Sequence, residues 1–168
     1  MTVPPSQAQP GDIVLAHSTG IIGKGIRLAE WLRWRKGSNW NHVAVVVGAD
    51  PMGNPLIAQA TGHGVKLGRL SDVSPGGVCE IRRCPDGVDG AKVAAYARSR
   101  VGVEYGFLTI VAILFDILTP NFFRVDFRRD GTLICSALGA LALMNGGWLY
   151  PVRDYYQWTP AQMSEALA

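Results

Sequence analysis

Cys135 is the residue of this chain with the most readily specified chemistry. It lies in Gly131-Thr132-Leu133-Ile134-Cys135-Ser136-Ala137-Leu138, which reads as the start of a buried helix. Thr132 is a good N-cap, because its hydroxyl can accept a hydrogen bond from a free backbone N–H one turn in. Cys135 is then the third helical position, beside unpaired N–H groups and the positive end of the helix dipole. Such a place favours the thiolate, which is the nucleophilic form. The competing reading is a buried structural cysteine, common in apolar helices. Whether a base is available elsewhere decides between them.

His42 is the candidate base. Trp40-Asn41-His42-Val43-Ala44-Val45-Val46-Val47-Gly48 is rich in β-branched residues and ends at a glycine, so it reads as a strand. His42 shares a face with Ala44 and Val46, and the other face is apolar too, which makes the strand a central one. With a helix-terminal cysteine as partner, a general base is as good a reading as a hydrogen-bonded core histidine. Asp50-Pro51-Met52-Gly53-Asn54 is a turn, and Pro55 to Thr61 returns as the next strand. A turn between Asp50 and Pro51 sets Gln59 opposite His42. A register two residues away sets Thr61 opposite, with Gln59 diagonal. Either way a polar group can share the histidine's face and orient its ring, as the third member of a triad does. An edge residue meeting solvent is the alternative for Gln59.

The elements that must position these groups can be read in order. Pro10-Gly11-Asp12 is a turn launching a strand from Ile13 to His17, with His17 a loop residue. Residues 21–36 read as a helix carrying Trp31 and Trp34 among Lys24, Arg27, Arg33, Arg35 and Lys36, a mixture suited to a membrane surface or to a solvated face. Val65 to Leu70 alternates as a half-buried strand, 71–77 is a loop, and Val78 to Cys84 is a further strand. Helices follow at Asp89 to Val101, with Asp89 as cap, and at Phe107 to Leu118. Between them, Tyr105 is flanked by glycine and can point into a cleft and donate a hydrogen bond, or simply anchor a loop. Residues 121–130 interleave aromatics with arginines and read as a lip of the site or a surface hairpin. Thr159-Pro160-Ala161-Gln162 is a capping box that opens a last short helix. Strands first and helices later make an α+β pattern.

With 168 residues the chain is read as a single domain, 1–168, with a flexible N-terminus at 1–9. A net charge of +3 gives no reason to expect nucleic acid as a partner. Cys79, Cys84 and Cys135 lack metal-ligand spacing and read as free thiols in a reducing compartment, so no metal or cofactor is expected. Residues 1–10 lack the pattern of a signal peptide, and Phe107 to Leu118 is too short to span a bilayer. A cytoplasmic or phage-particle location is therefore expected. The oligomeric state is left open.

Taken together, a Gly-Asp-Ile opening strand, a histidine starting a valine-rich strand, an Ala-x-Ala segment at 58–60, a late Tyr-Gly and an Ile-Cys-Ser helix start resemble the permuted papain-like cysteine hydrolases, the circularly rearranged branch of the NlpC-type peptidases. The resemblance spans roughly 10–165, the extent expected of one domain. It implies a papain-like fold, a small antiparallel sheet or half-barrel packed against helices. It also implies Cys135 as nucleophile, His42 as base, Gln59 in place of the usual glutamate and Tyr105 as a cleft tyrosine. Ala137 departs from the family pattern, which often has a glutamate there.

The expected function is a thiol hydrolase acting on an amide or ester, with a peptide, a peptidoglycan fragment or a lipid-like acyl group as substrate. The alternatives are a non-catalytic binding or virion structural module, and a lipid acyl hydrolase or acyltransferase at a membrane surface touched by Trp31 and Trp34.

Overall fold

The structure is a computed structural model that describes residues 1–17, 31, 39–73, 78–106, 132–149 and 158–168. The expected helices at 21–36 and 107–118 and the lip at 121–130 fall outside these residues, apart from the exposed Trp31. The described residues form a mixed α/β arrangement around a mostly antiparallel sheet. Its strands are β1 (Thr2–Val3), β2 (Ile13–Ala16), β3 (His42–Ala49), β4 (Pro55–Thr61), β5 (Gly64–Arg69) and β6 (Cys79–Arg82), in the spatial order β1-β6-β2-β3-β4-β5. A second, two-stranded parallel pair joins β7 (Glu104–Tyr105) to β8 (Thr132–Leu133). Helices α1 (Leu70–Val73), α2 (Gly90–Ser99), α3 (Cys135–Asn145) and α4 (Pro160–Ala166) complete the described elements.

Alternation along the strands divides the core. One face carries Leu15, Val43, Val45, Ala58 and Ala60, packed against α2 through Val93 and Ala97, α3 through Leu138 and α4 through Met163. The other carries Val14, Ala16, Ala44, Val46 and Ile57, with Val73 of α1 over it. β3 is apolar on both faces because it is central, as its valine run predicts. A bulge between Val46 and Gly48 turns the Val47 carbonyl out of the ladder, where Arg98 of α2 donates to it through Nε at 3.1 Å and Nη2 at 2.9 Å. The caps read from the sequence are present. Asp89 accepts the N–H groups of Ala91 and Lys92, and Thr159 and Gln162 satisfy one another's backbone N–H groups.

Two local expectations are corrected. Residues 1–9, expected to be flexible, instead carry an edge strand, with Val3 buried opposite Ile81, and a 3-10 turn at Pro5–Gln7. Thr132, expected as the cap of the cysteine helix, lies in β8, and the cap position belongs to Ile134, whose side chain makes no capping bond. Pairing with β7 holds Thr132 extended, so the helix begins two residues later and Cys135 is its first residue rather than its third.

Asp12 ties the N-terminal turn to the sheet. Fully buried, it accepts the Gln9 N–H at 2.8 Å, the Cys84 N–H at 2.9 Å and Arg83 Nη1 at 2.9 Å. The preceding Gly11 has φ 96° and lies so close to Gly90 that a β-carbon would sit 2.4 Å from its Cα. Asp12→Ala leaves the arginine and two backbone donors without their acceptor, and it should cost about 3 kcal/mol. Denaturant unfolding checks this; a loss below about 1 kcal/mol would mean that the network is not holding the strand.

Candidate functional site

Three elements bring the site together. β3 supplies His42 as its first residue, β4 supplies Gln59, and α3 supplies Cys135 as its first residue. The β3–β4 register pairs Gln59 with Ala44, so Gln59 is diagonal to His42, the second of the two registers the sequence allowed. Both side chains lie on the face of Ala44 by alternation. His42 Nε2 and Gln59 Oε1 are 3.0 Å apart. An amide oxygen can only accept, so Nε2 carries the hydrogen and Nδ1 is left as the basic nitrogen. Gln59 is buried, at 3% exposure, and is no edge residue meeting solvent.

Cys135 comes from the opposite side of the sheet. It packs with the core of the helical face, yet its side chain is hydrogen-bonded to His42. Backbone hydrogen bonds with Val43 and Ser136 hold the sulfur against the beginning of β3 and the first turn of α3. Burial alone would push the thiol up. The hydrogen bond and charge of His42, helped by those backbone bonds, outweigh it, and the Cys135 thiol lies below its usual range. For His42, burial pulls the imidazole down, while the bond and charge of Cys135 and then the bond to Gln59 raise it, and the net shift is upward. The opposed shifts favour a thiolate–imidazolium pair.

Tyr105 is brought to the same place by the parallel pair, since it lies beside Leu133, two residues before the cysteine. Burial, and then the charge on Cys135, raise its phenol well above the ordinary range, so it stays neutral and able to donate. Thr61 and His63, the other nearby polar residues, are turned elsewhere. Thr61 Oγ1 donates to the Gly64 carbonyl at 3.2 Å, and His63 is exposed. His17 Nδ1 lies 2.9 Å from the Asn39 carbonyl.

Sequence reasoning missed two supports. Ser136 donates from its hydroxyl to the Trp158 carbonyl, and Trp158 packs edge-on against Trp148 with ring centroids 5.4 Å apart. The Val43 backbone contact with the sulfur is the other. Neither has a signal in spacing, because each joins segments that only the tertiary structure brings together.

The fold is like that of solved structures, of which one shows the extent of the likeness. It is the crystal structure of metalloprotein yiiX from Escherichia coli O157:H7, described as DUF1105, with a TM-score of 0.59 and 19% identity, over 95% of this chain and 82% of that one. No family model and no curated protein matches the chain. The resemblance to permuted papain-like, NlpC-type hydrolases is therefore corrected: the structural neighbour carries a different description, and nothing found points to that family. The motifs that carried it are two or three residues long, and runs that short recur in unrelated chains. Among the described residues no group of three or more His, Cys, Asp or Glu is placed to hold an ion.

The three free thiols should differ sharply in reactivity. Burial, with the charges of Asp12 and Asp89, pushes Cys84 up to about 11, and burial raises Cys79 as well. Iodoacetamide at pH 6 to 7 should therefore modify Cys135 first, and His42→Ala should slow that reaction by about tenfold or more. Equal labelling of all three cysteines by peptide mapping would make Cys135 an ordinary core thiol.

Proposed function

We propose that this protein is a thiol hydrolase acting on an amide or ester bond. The observation that carries the reading is the chain of contacts from Cys135 through His42 to Gln59, in which the imidazole is bonded on both sides. In this reading the Cys135 thiolate attacks the substrate carbonyl carbon, and the carbonyl π electrons move to oxygen. Imidazolium Nδ1–H protonates the leaving amine or alkoxide as the C–N or C–O bond breaks, which leaves an acyl-cysteine. Neutral His42 then takes a proton from water, hydroxide attacks the thioester, and the proton returns to sulfur as the acid departs. In this reading the neutral Tyr105 phenol, beside the start of α3, donates to the oxyanion as it forms. Gln59 keeps the imidazole in the tautomer that this sequence of proton transfers needs.

On this reading the substrate is a peptide amide or an acyl ester, the carbonyl classes that a thiolate can cleave. No described helix is long and apolar enough to cross a membrane. A reducing compartment such as the cytoplasm suits three unpaired cysteines. A second reading, a binding module without turnover, draws on the 5% exposure of Cys135 and the neutral amide at Gln59.

Pre-steady-state reaction with an activated ester, such as a p-nitrophenyl acyl ester, separates the two. A hydrolase should release a burst near one equivalent, place the acyl mass on Cys135 and then turn over. Cys135→Ala should abolish the adduct, and His42→Ala should slow its formation by about a hundredfold or more. A thiol that alkylates readily but never acylates would favour the binding module.

A further inference from the structure

Gln59 has neighbours on the side away from His42. Its cross-strand partners are Ala44 on β3 and Lys66 on β5, and its diagonal neighbour is Gly68, which pairs with Ile57. A β-carbon at Gly68 would lie 3.2 Å from Gln59 Nε2 and 2.9 Å from Asp72 Oδ2. The amide nitrogen and the carboxylate thus border the same space, the place of one missing methyl group. Asp72 is exposed and makes no hydrogen bond to Gln59, and its Oδ2 accepts the Arg69 N–H at 2.8 Å at the start of α1. That bond by itself is an ordinary helix-start contact. The second observation, the close approach of both the carboxylate and the buried amide to the Gly68 backbone, connects it to the site.

The two ends of an amide differ in charge. With Oε1 toward His42 Nε2–H, the N–H groups of Gln59 are at the end nearest the carboxylate. Rotating the amide by half a turn would put its oxygen toward Asp72 and its hydrogens toward the imidazole, so that Nε2 would have to become the acceptor. We propose that Asp72 and Gly68 are positioning residues for His42: the carboxylate's charge orients the Gln59 amide with its oxygen toward the imidazole, and the absence of a side chain at Gly68 lets both groups approach over its backbone. The arrangement also accounts for a neutral residue at 59, since a glutamate there would face the Asp72 carboxylate over Gly68. The other charged or titratable groups around this line are Lys66 across from Gln59, Arg69, which is paired with Asp50, and Cys135 and Tyr105 beyond the imidazole.

This inference rests on His42 acting as the base, and its test separates the two. In Cys135→Ser protein at pH 8 to 9, where the imidazole is neutral, 15N NMR should find the Nε2–H tautomer. Asp72→Asn keeps an oxygen for the Arg69 N–H but removes the charge. It should shift His42 toward a mixture of tautomers and, in protein that retains Cys135, lower the alkylation rate at pH 6 about three- to tenfold without moving the melting temperature. Asp72→Glu should restore part of the rate. Gly68→Ala, which displaces the amide and the carboxylate, should act in the same direction as Asp72→Asn. An unchanged tautomer and pH profile in Asp72→Asn, with Gln59→Ala and His42→Ala still slow, would overturn the positioning role and leave the base in place. If those two variants were also unaffected, the base itself would be wrong.

Discussion

The contact between Cys135 and His42 joins the first residues of α3 and β3, two elements that also pack together along the face of Val43. The cysteine opens a helix packed on one face of the sheet, while the histidine alternates onto the other. They meet only because each is the terminal residue of its element, where α3 begins and β3 begins. A helix started at Leu133, as the sequence led one to expect, would set the sulfur about half a turn deeper into α3. The short parallel pairing of β7 with β8 prevents this by keeping Thr132 and Leu133 extended, and it delivers Tyr105 to the same place.

Burial by itself would defeat the chemistry at this contact. It raises a thiol and lowers an imidazole, and both shifts favour the neutral pair. Pairing reverses each shift, because the ion formed by one group stabilises the ion of the other and two backbone bonds and an amide serve the charged forms. Removing either partner therefore returns the other to the penalty of burial, and that dependence distinguishes a coupled pair from two neighbours.

Much of this was legible because it follows from local rules. The valine run marked β3 as central, the hairpin turn narrowed Gln59 to two registers on the histidine's face, and Asp89 and Thr159 are caps of the ordinary kind. The misreadings arose where a tertiary contact overrides a local preference. Thr132 is a good cap by type but is paired in a strand. The N-terminal residues look polar and unstructured but pair with β6. Short motifs suggested a family that the comparisons do not uphold. The bulge that lets Arg98 reach the Val47 carbonyl, and the approach of Asp72 to Gln59 over Gly68, leave no trace in spacing.

The most direct measurement is a joint titration of the two groups, following thiolate absorbance near 240 nm and the His42 ring nitrogens by NMR over the same pH range. A coupled pair should show thiolate already present below pH 8, while the imidazole is still protonated, with both signals changing together and His42→Ala returning the thiol to the range of an isolated cysteine or above it. Thiolate appearing only near pH 8.5 or higher, with a histidine that titrates independently of Cys135, would contradict the pairing on which the proposed chemistry depends.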